Sequence, residues 1–118
     1  MKLLFTILSI VLLSSCVQKM RDVTIHFEVD MRQETNVTTV GVIGEDTPLS
    51  WDTAIPLTDP DSDGIYEGTV VIKAAYNYAA FKFKLNNEII ELEGKKNRLV
   101  TIDDNNSGSY SGVFDKDN

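Results

Sequence analysis

Trp51 is the only tryptophan of this chain, and it sits in a stretch that is otherwise polar and rich in turn formers, Gly44-Glu45-Asp46-Thr47-Pro48-Leu49-Ser50-Trp51-Asp52-Thr53. A large ring in such a loop either plugs the edge of a core or stands out as a platform on which a ligand stacks. Lys82 and Lys84 alternate with Phe81 and Phe83, so a strand through them would put the ammonium groups on the face away from the rings. That face is either an ordinary solvated one or a polar partner for a ligand that also touches an aromatic. Sugars need that combination, with a flat ring for their C–H face and donors or acceptors for their hydroxyls. A third group, Asp59, Asp61, Asp63 and Gly64, follows the D-x-D-x-D-G opening of a calcium loop. Position twelve of that loop would be Val70, which cannot ligate. The run therefore offers a weak calcium candidate against a hairpin turn in which aspartates cap their own backbone.

Little in the chain suits catalysis. Its one histidine, His26, alternates with apolar residues beside Thr24 and Glu28, as on the polar face of a strand. No Gly-x-Ser-x-Gly nucleophile elbow is present. Carboxylates are plentiful, but a small sandwich rarely builds a deep cleft around two of them. The expectation is a non-enzyme without a cofactor.

The N-terminus carries an address. Lys2 precedes an apolar run from Leu3 to Leu13, too short to span a bilayer and right for a signal-peptide core. Leu13-Ser14-Ser15-Cys16 resembles the lipobox of bacterial lipoproteins. In that family signal peptidase II cuts before the cysteine, which is then acylated. The resemblance implies cleavage between Ser15 and Cys16 and a lipid anchor on Cys16. Cys16 is the sole cysteine, so no intramolecular disulfide can form. Each buried acyl methylene adds about 0.8 kcal/mol of membrane affinity. Residues 1–15 form the expected signal peptide and 16–22 a lipidated tether. Val17 to Arg21 spans at most about 17 Å when extended. The expected location is a bacterial cell envelope, on the outer membrane, with the face left open.

Removing residues 1–15 takes one cation, Lys2, from the 11 Lys+Arg and none of the 18 Asp+Glu, which leaves a net charge of −8. With no basic cluster, this excludes nucleic acid as a partner and suits neutral ligands.

The elements that must position these groups read as strands. Val23 to Met31 alternates strictly, and Val37 to Ile43 is β-branched. Ile65 to Lys73, Ala79 to Leu85, Glu88 to Leu92, Leu99 to Ile102 and Tyr110 to Phe114 follow, with Asn86-Asn87 as a hairpin turn. Seven short strands, no helical period and regular turn signals predict an all-β, immunoglobulin-like antiparallel β-sandwich over residues 23–114, with 115–118 as a frayed tail. The expected core is Val23, Ile25, Phe27 and Val29; Val40 and Val42; Val70 and Ile72; Phe81, Phe83 and Leu85; Ile90; Val100 and Ile102; and Tyr110 and Phe114.

An ordered set of features resembles carbohydrate-binding module family 20, the starch-binding modules. Val40-Gly41-Val42-Ile43-Gly44 resembles the family's second strand, Trp51-Asp52 its loop tryptophan and acid, and Ile55-Pro56-Leu57 its "a-x-P-L" step. Ile65-Tyr66-Glu67-Gly68-Thr69-Val70, Phe81-Lys82-Phe83 and Asn97-Arg98 resemble later elements in the same order. The resemblance implies a glycan site with Trp51 as stacking platform, Lys82 as hydroxyl partner and Asn97 as hydrogen-bond partner, binding α-glucan or a related polysaccharide. The family's second tryptophan should fall within Ile89 to Glu93, where no aromatic stands. Its tyrosine-based site has no clear counterpart beyond Tyr76 or Tyr78. A structural or protein-interaction module that has lost glycan binding is the alternative expectation.

Overall fold

A computed structural model describes residues 19–117; Cys16, the expected signal peptide and most of the expected tether lie outside the described residues. The described chain folds as eight strands in two sheets, with no α-helix among the described residues.

β1 (Arg21–Asp30) shows how the sequence writes the fold. Its alternation buries Val23, Ile25, Phe27 and Val29 completely and leaves Thr24, His26 and Glu28 on the other side. β1 is the centre of a three-stranded sheet. It pairs antiparallel with β4 (Ile65–Ala74) and parallel with β8 (Ser107–Val113), the one parallel pairing among the described residues.

The facing sheet is built on β5 (Tyr78–Leu85), flanked along one edge by β2 (Val40–Gly44), which in turn pairs with β3 (Ile55–Leu57). The other edge of β5 is shared. β7 (Arg98–Thr101) pairs with Tyr78 to Phe81, and the two-residue β6 (Ile89–Ile90) pairs with Lys84 and Leu85. Asn86 and Asn87 turn the chain between β5 and β6 at φ 54° and 56°, the left-handed pair that a tight hairpin needs.

Between the sheets, Phe27, Phe81, Phe83 and Tyr110 meet edge to face. Phe81 lies 4.9 Å from Phe27, 5.4 Å from Phe83 and 4.8 Å from Tyr110. Each such pair adds about 0.5–1.5 kcal/mol beyond the area it buries. Met31, Ala74 and Ala79 extend this core at strand ends, and Leu49 and Leu57 join it from a loop and a short strand where alternation gave no signal.

Three expectations are corrected. Ile90 is 42 % exposed, because β6 is a short edge strand and neither of its side chains is covered. β3 is a strand where none is expected between Ile43 and Ile65, since three residues around a proline carry no period. The end of the chain is tied down at least to Lys116: Asp115 N–H donates to Glu91 at 2.9 Å, and the Lys116 carbonyl accepts from Arg98 at 3.1 Å.

That last contact belongs to the most buried polar group among the described residues. Glu91 is 0 % and Arg98 5 % exposed. They form a two-pronged ion pair with both N···O distances at 2.7 Å. Glu91 also accepts the Phe83 N–H at 2.8 Å, and Arg98 donates to the Tyr110 hydroxyl and the Val113 carbonyl. Burial opposes the guanidinium charge, but the bonds to Glu91 and Tyr110 outweigh it and hold Arg98 above its ordinary range. This knot closes the sandwich where β5 is left between β6 and β7.

Candidate functional site

The loop between β2 and β3 resolves the two roles open to Trp51. Leu49 turns in and joins the core, 4 % exposed, while Trp51 stays half-buried and outside the core cluster. The loop is held by backbone bonds at three places. Gly44 N–H donates to the Ser50 carbonyl at 3.2 Å, Glu45 to Ala80 at 3.1 Å, and Lys73 to Thr47 at 2.7 Å. The indole Nε1–H of Trp51 donates to Glu45 Oε2 at 2.7 Å. A charge-assisted bond of that length fixes the ring against a residue that continues the β2 ladder. Beside it the Asp46 carboxyl is pushed up, by burial first and by the Glu45 charge second.

Glu45 follows Ile43 by two residues and so shares its face of the sheet, the outer one. Ile43 is level with Lys82 across the β2–β5 ladder. Ile43 and Leu92 are both buried yet lie outside the inter-sheet core, which marks a covered patch on this outer face. Trp51 is anchored at its edge.

Lys82 points outward, as alternation predicts, but it does not reach open solvent. It is 9 % exposed, and its ammonium donates to the carbonyls of Leu92 at 3.0 Å and Lys95 at 3.1 Å. Two of its three donors thus hold the segment between β6 and β7 over the sheet, and one is left. Of the two readings open for this face, the ordinary solvated one does not describe Lys82: a charge on a sheet face is easily covered by a loop that sequence alternation does not register. Lys84 on the same face is half-buried.

Asn97 is exposed and precedes Arg98, whose register partner is Phe81. Continuing the ladder by one residue brings Asn97 level with Lys82. The two nevertheless line different grooves of about 490 Å³ each. Lys82 lies with Glu88, Ile89, Ile90, Glu93 and Gly94, and Asn97 with Lys96, Arg98, Leu99 and Tyr110. The structure therefore brings Trp51, Lys82 and Asn97 to neighbouring strands without joining them in one pocket. Sequence reasoning missed Glu45, the residue that orients the ring. Its only signal is its place at the end of β2, six residues before Trp51.

The Asp59, Asp61 and Asp63 carboxylates lie within 4.8 Å of one another. Asp59 is already engaged as a turn cap, accepting from Asp63 N–H at 3.1 Å and Gly64 N–H at 2.9 Å. Asp63 accepts from Ile65 N–H at 2.9 Å, and Gly64 turns the chain at φ 85°. These bonds give Asp59 and Asp63 a turn-capping role of their own.

Tyr76 and Tyr78 are exposed and stack on each other at 5.7 Å beside the start of β5.

No family model and no curated protein matches the chain. Among solved structures it is similar to the family 20 carbohydrate-binding module of a maltotetraose-forming amylase from Pseudomonas saccharophila STB07. The two share 20 % identity at a TM-score of 0.46, over 76 % of this chain and 100 % of that one.

Proposed function

We propose that the mature chain is a non-catalytic, lipid-anchored carbohydrate-binding protein of a bacterial cell envelope, with α-glucan or a related glycan as its ligand. One observation carries the reading. Trp51 is the large side chain its loop does not bury, because Leu49 takes the core position, and its indole N–H is pinned so that the ring holds one orientation. A fixed, half-exposed ring with acids beside it and an unspent lysine donor on the same sheet face has the chemistry sugars require. Asn97, level with Lys82, supplies a further polar partner.

Affinity is expected to be weak. Residues 86–97 contain no aromatic, so one platform serves where starch-binding relatives use a pair. If a sugar stack is worth roughly the 1–3 kcal/mol of a base stack, losing one ring weakens binding about tenfold or more. Acylation of Cys16 completes the reading. The sandwich begins at Arg21, whose guanidinium donates to the Ala74 and Tyr76 carbonyls and to the Asn77 and Asn106 side chains. The free tether is then short, and that end of the domain stays near the bilayer, on the outer membrane in this reading.

Calorimetric titration of maltoheptaose into the mature chain, with Trp51 emission as a second readout, tests the glycan site. Saturation at millimolar sugar is expected, with at least a tenfold loss in Trp51→Ala read by heat. No heat and no spectral change at millimolar sugar, or undiminished binding by Trp51→Ala, overturns it.

A second reading has its own support. β6 is an edge strand whose Ile89 and Ile90 are both exposed, a surface suited to pairing with a strand from another protein. Co-purification of one envelope protein through wild type but not Ile89→Lys, from a chain that binds no glycan, would favour it.

A further inference from the structure

The outer face of the three-stranded sheet collects a donor set that neither the glycan site nor the core uses. His26 and Glu28 are two apart on β1 and share a face. Across the ladder, Glu28 is in register with Glu67 and His26 with Thr69. One ligand atom from each of His26, Glu28 and Glu67 lies within 4.8 Å of the others.

Two physical features make this more than a polar patch. Glu28 and Glu67 are like charges directly opposite each other, an arrangement that destabilises a strand pair. Among the described residues the ion pairs are Arg32–Asp30, Lys73–Asp22 and Arg98–Glu91, so neither glutamate has a cationic partner. Separately, Thr69 Oγ1 lies 3.1 Å from His26 Nδ1. A hydroxyl on one ring nitrogen orients the imidazole and leaves the other nitrogen for a ligand, as at metal-bound histidines.

We propose that His26, Glu28 and Glu67 bind a divalent zinc-class ion that staples β1 to β4. One imidazole and two carboxylates make a three-ligand site with room for water, built from ligand types that zinc accepts; the imidazole speaks against calcium and magnesium, which take oxygen ligands. Zinc bonds of about 2.0–2.2 Å require the three atoms to close to roughly 3.5 Å. The terminal torsions of two glutamates that are not core-packed allow this without moving the strands. The net charge of −8 favours capture of a dication at any such site.

The test uses the mature chain with no affinity tag. Zinc is titrated in competition with a chromogenic chelator, and the ring resonances of the single histidine are followed by NMR. The expected result is one zinc per chain, with the His26 signals shifting to saturation at that ratio. His26→Ala and Glu67→Gln each weaken zinc by at least tenfold, whereas Asp61→Asn, at the other carboxylate cluster, binds as wild type. Glu67 is exposed, so the second variant keeps the fold if the first does not. No zinc uptake at 100 micromolar, unmoved His26 resonances, or wild-type affinity in a folded Glu67→Gln overturns the proposal. None of these readouts involves Trp51, Lys82 or Asn97, so the glycan reading stands or falls apart from it.

Discussion

Replacing Glu91 by glutamine removes one charge from the centre of the polar knot and changes almost no volume. Arg98, 5 % exposed, would then carry its charge without a counterion. The amide would also put an NH2 in place of one carboxylate oxygen, so that Arg98 and either Phe83 or Asp115 would face a donor instead of an acceptor. Removing one partner of a buried ion pair costs about 3–5 kcal/mol. For a domain of this size 1 kcal/mol moves the midpoint by about 5 °C, so Glu91→Gln should melt roughly 15–25 °C below wild type. The internal control is Asp22→Asn. Asp22 pairs with Lys73 on the surface, with both side chains more than half exposed, and that pair is worth at most about 1 kcal/mol. Urea unfolding followed by Trp51 emission measures both variants, and an unchanged m-value shows that the same surface is exposed. Raising salt to 1 M should erase the Asp22→Asn effect and leave the Glu91→Gln effect, because a pair hidden from water is little screened. If Glu91→Gln loses no more stability than Asp22→Asn, the knot does not close that end of the sandwich and the reasoning fails.

Three further outcomes are expected. A Cβ on Gly44 would sit 2.7 Å from the Ala80 carbonyl and 2.8 Å from Leu49 Cδ1, so Gly44→Ala should cost about 1–3 kcal/mol and red-shift Trp51 emission as its loop moves. An emission spectrum at the wild-type position would show that the loop tolerates the methyl group. Lys82→Met strips the Leu92 and Lys95 carbonyls of a charged donor, and a loss of about 1.5–3 kcal/mol is expected, with faster amide exchange across 92–97; unchanged exchange there would refute the role given to Lys82. At Asp59, burial pushes the carboxyl up, but the N–H bonds of Gly64 and Asp63 and a proton shared from Asp61 hold it below its ordinary range, while Asp61 is pushed up in turn. A depressed folded value adds stability above the unfolded value of about 3.9 and loses it as pH falls through the folded one. Asp59→Asn should therefore melt below wild type at pH 7, with the gap closing below pH 4; a gap independent of pH would assign the effect to shape rather than charge.

How much was legible depended on whether a residue's fate is local. Period two in Val23 to Met31 and in Phe81 to Leu85 gave the buried faces directly, since a strand has only two sides. Asn86-Asn87 announced its turn because asparagine tolerates positive φ. β3 and β6 were lost or misjudged, being too short for a period to appear. At the candidate site, Trp51 stood out by type alone, whereas Glu45 carried no mark of its role. Leu49 was hidden in the same polar loop, though it is the residue that fills the core and frees Trp51.

The sequence by itself determined an all-β chain, the inward residues of its long strands and an acidic composition, because each follows from composition or from spacing along one strand. Tertiary structure alone decided three things. It placed Lys82 beneath a loop rather than in water, buried Glu91 against Arg98, and set Glu28 opposite Glu67 beside His26. All three depend on register between segments far apart in the chain. Register is chosen by the whole sandwich minimising exposed apolar surface and unpaired backbone, so no local stretch of sequence can announce it.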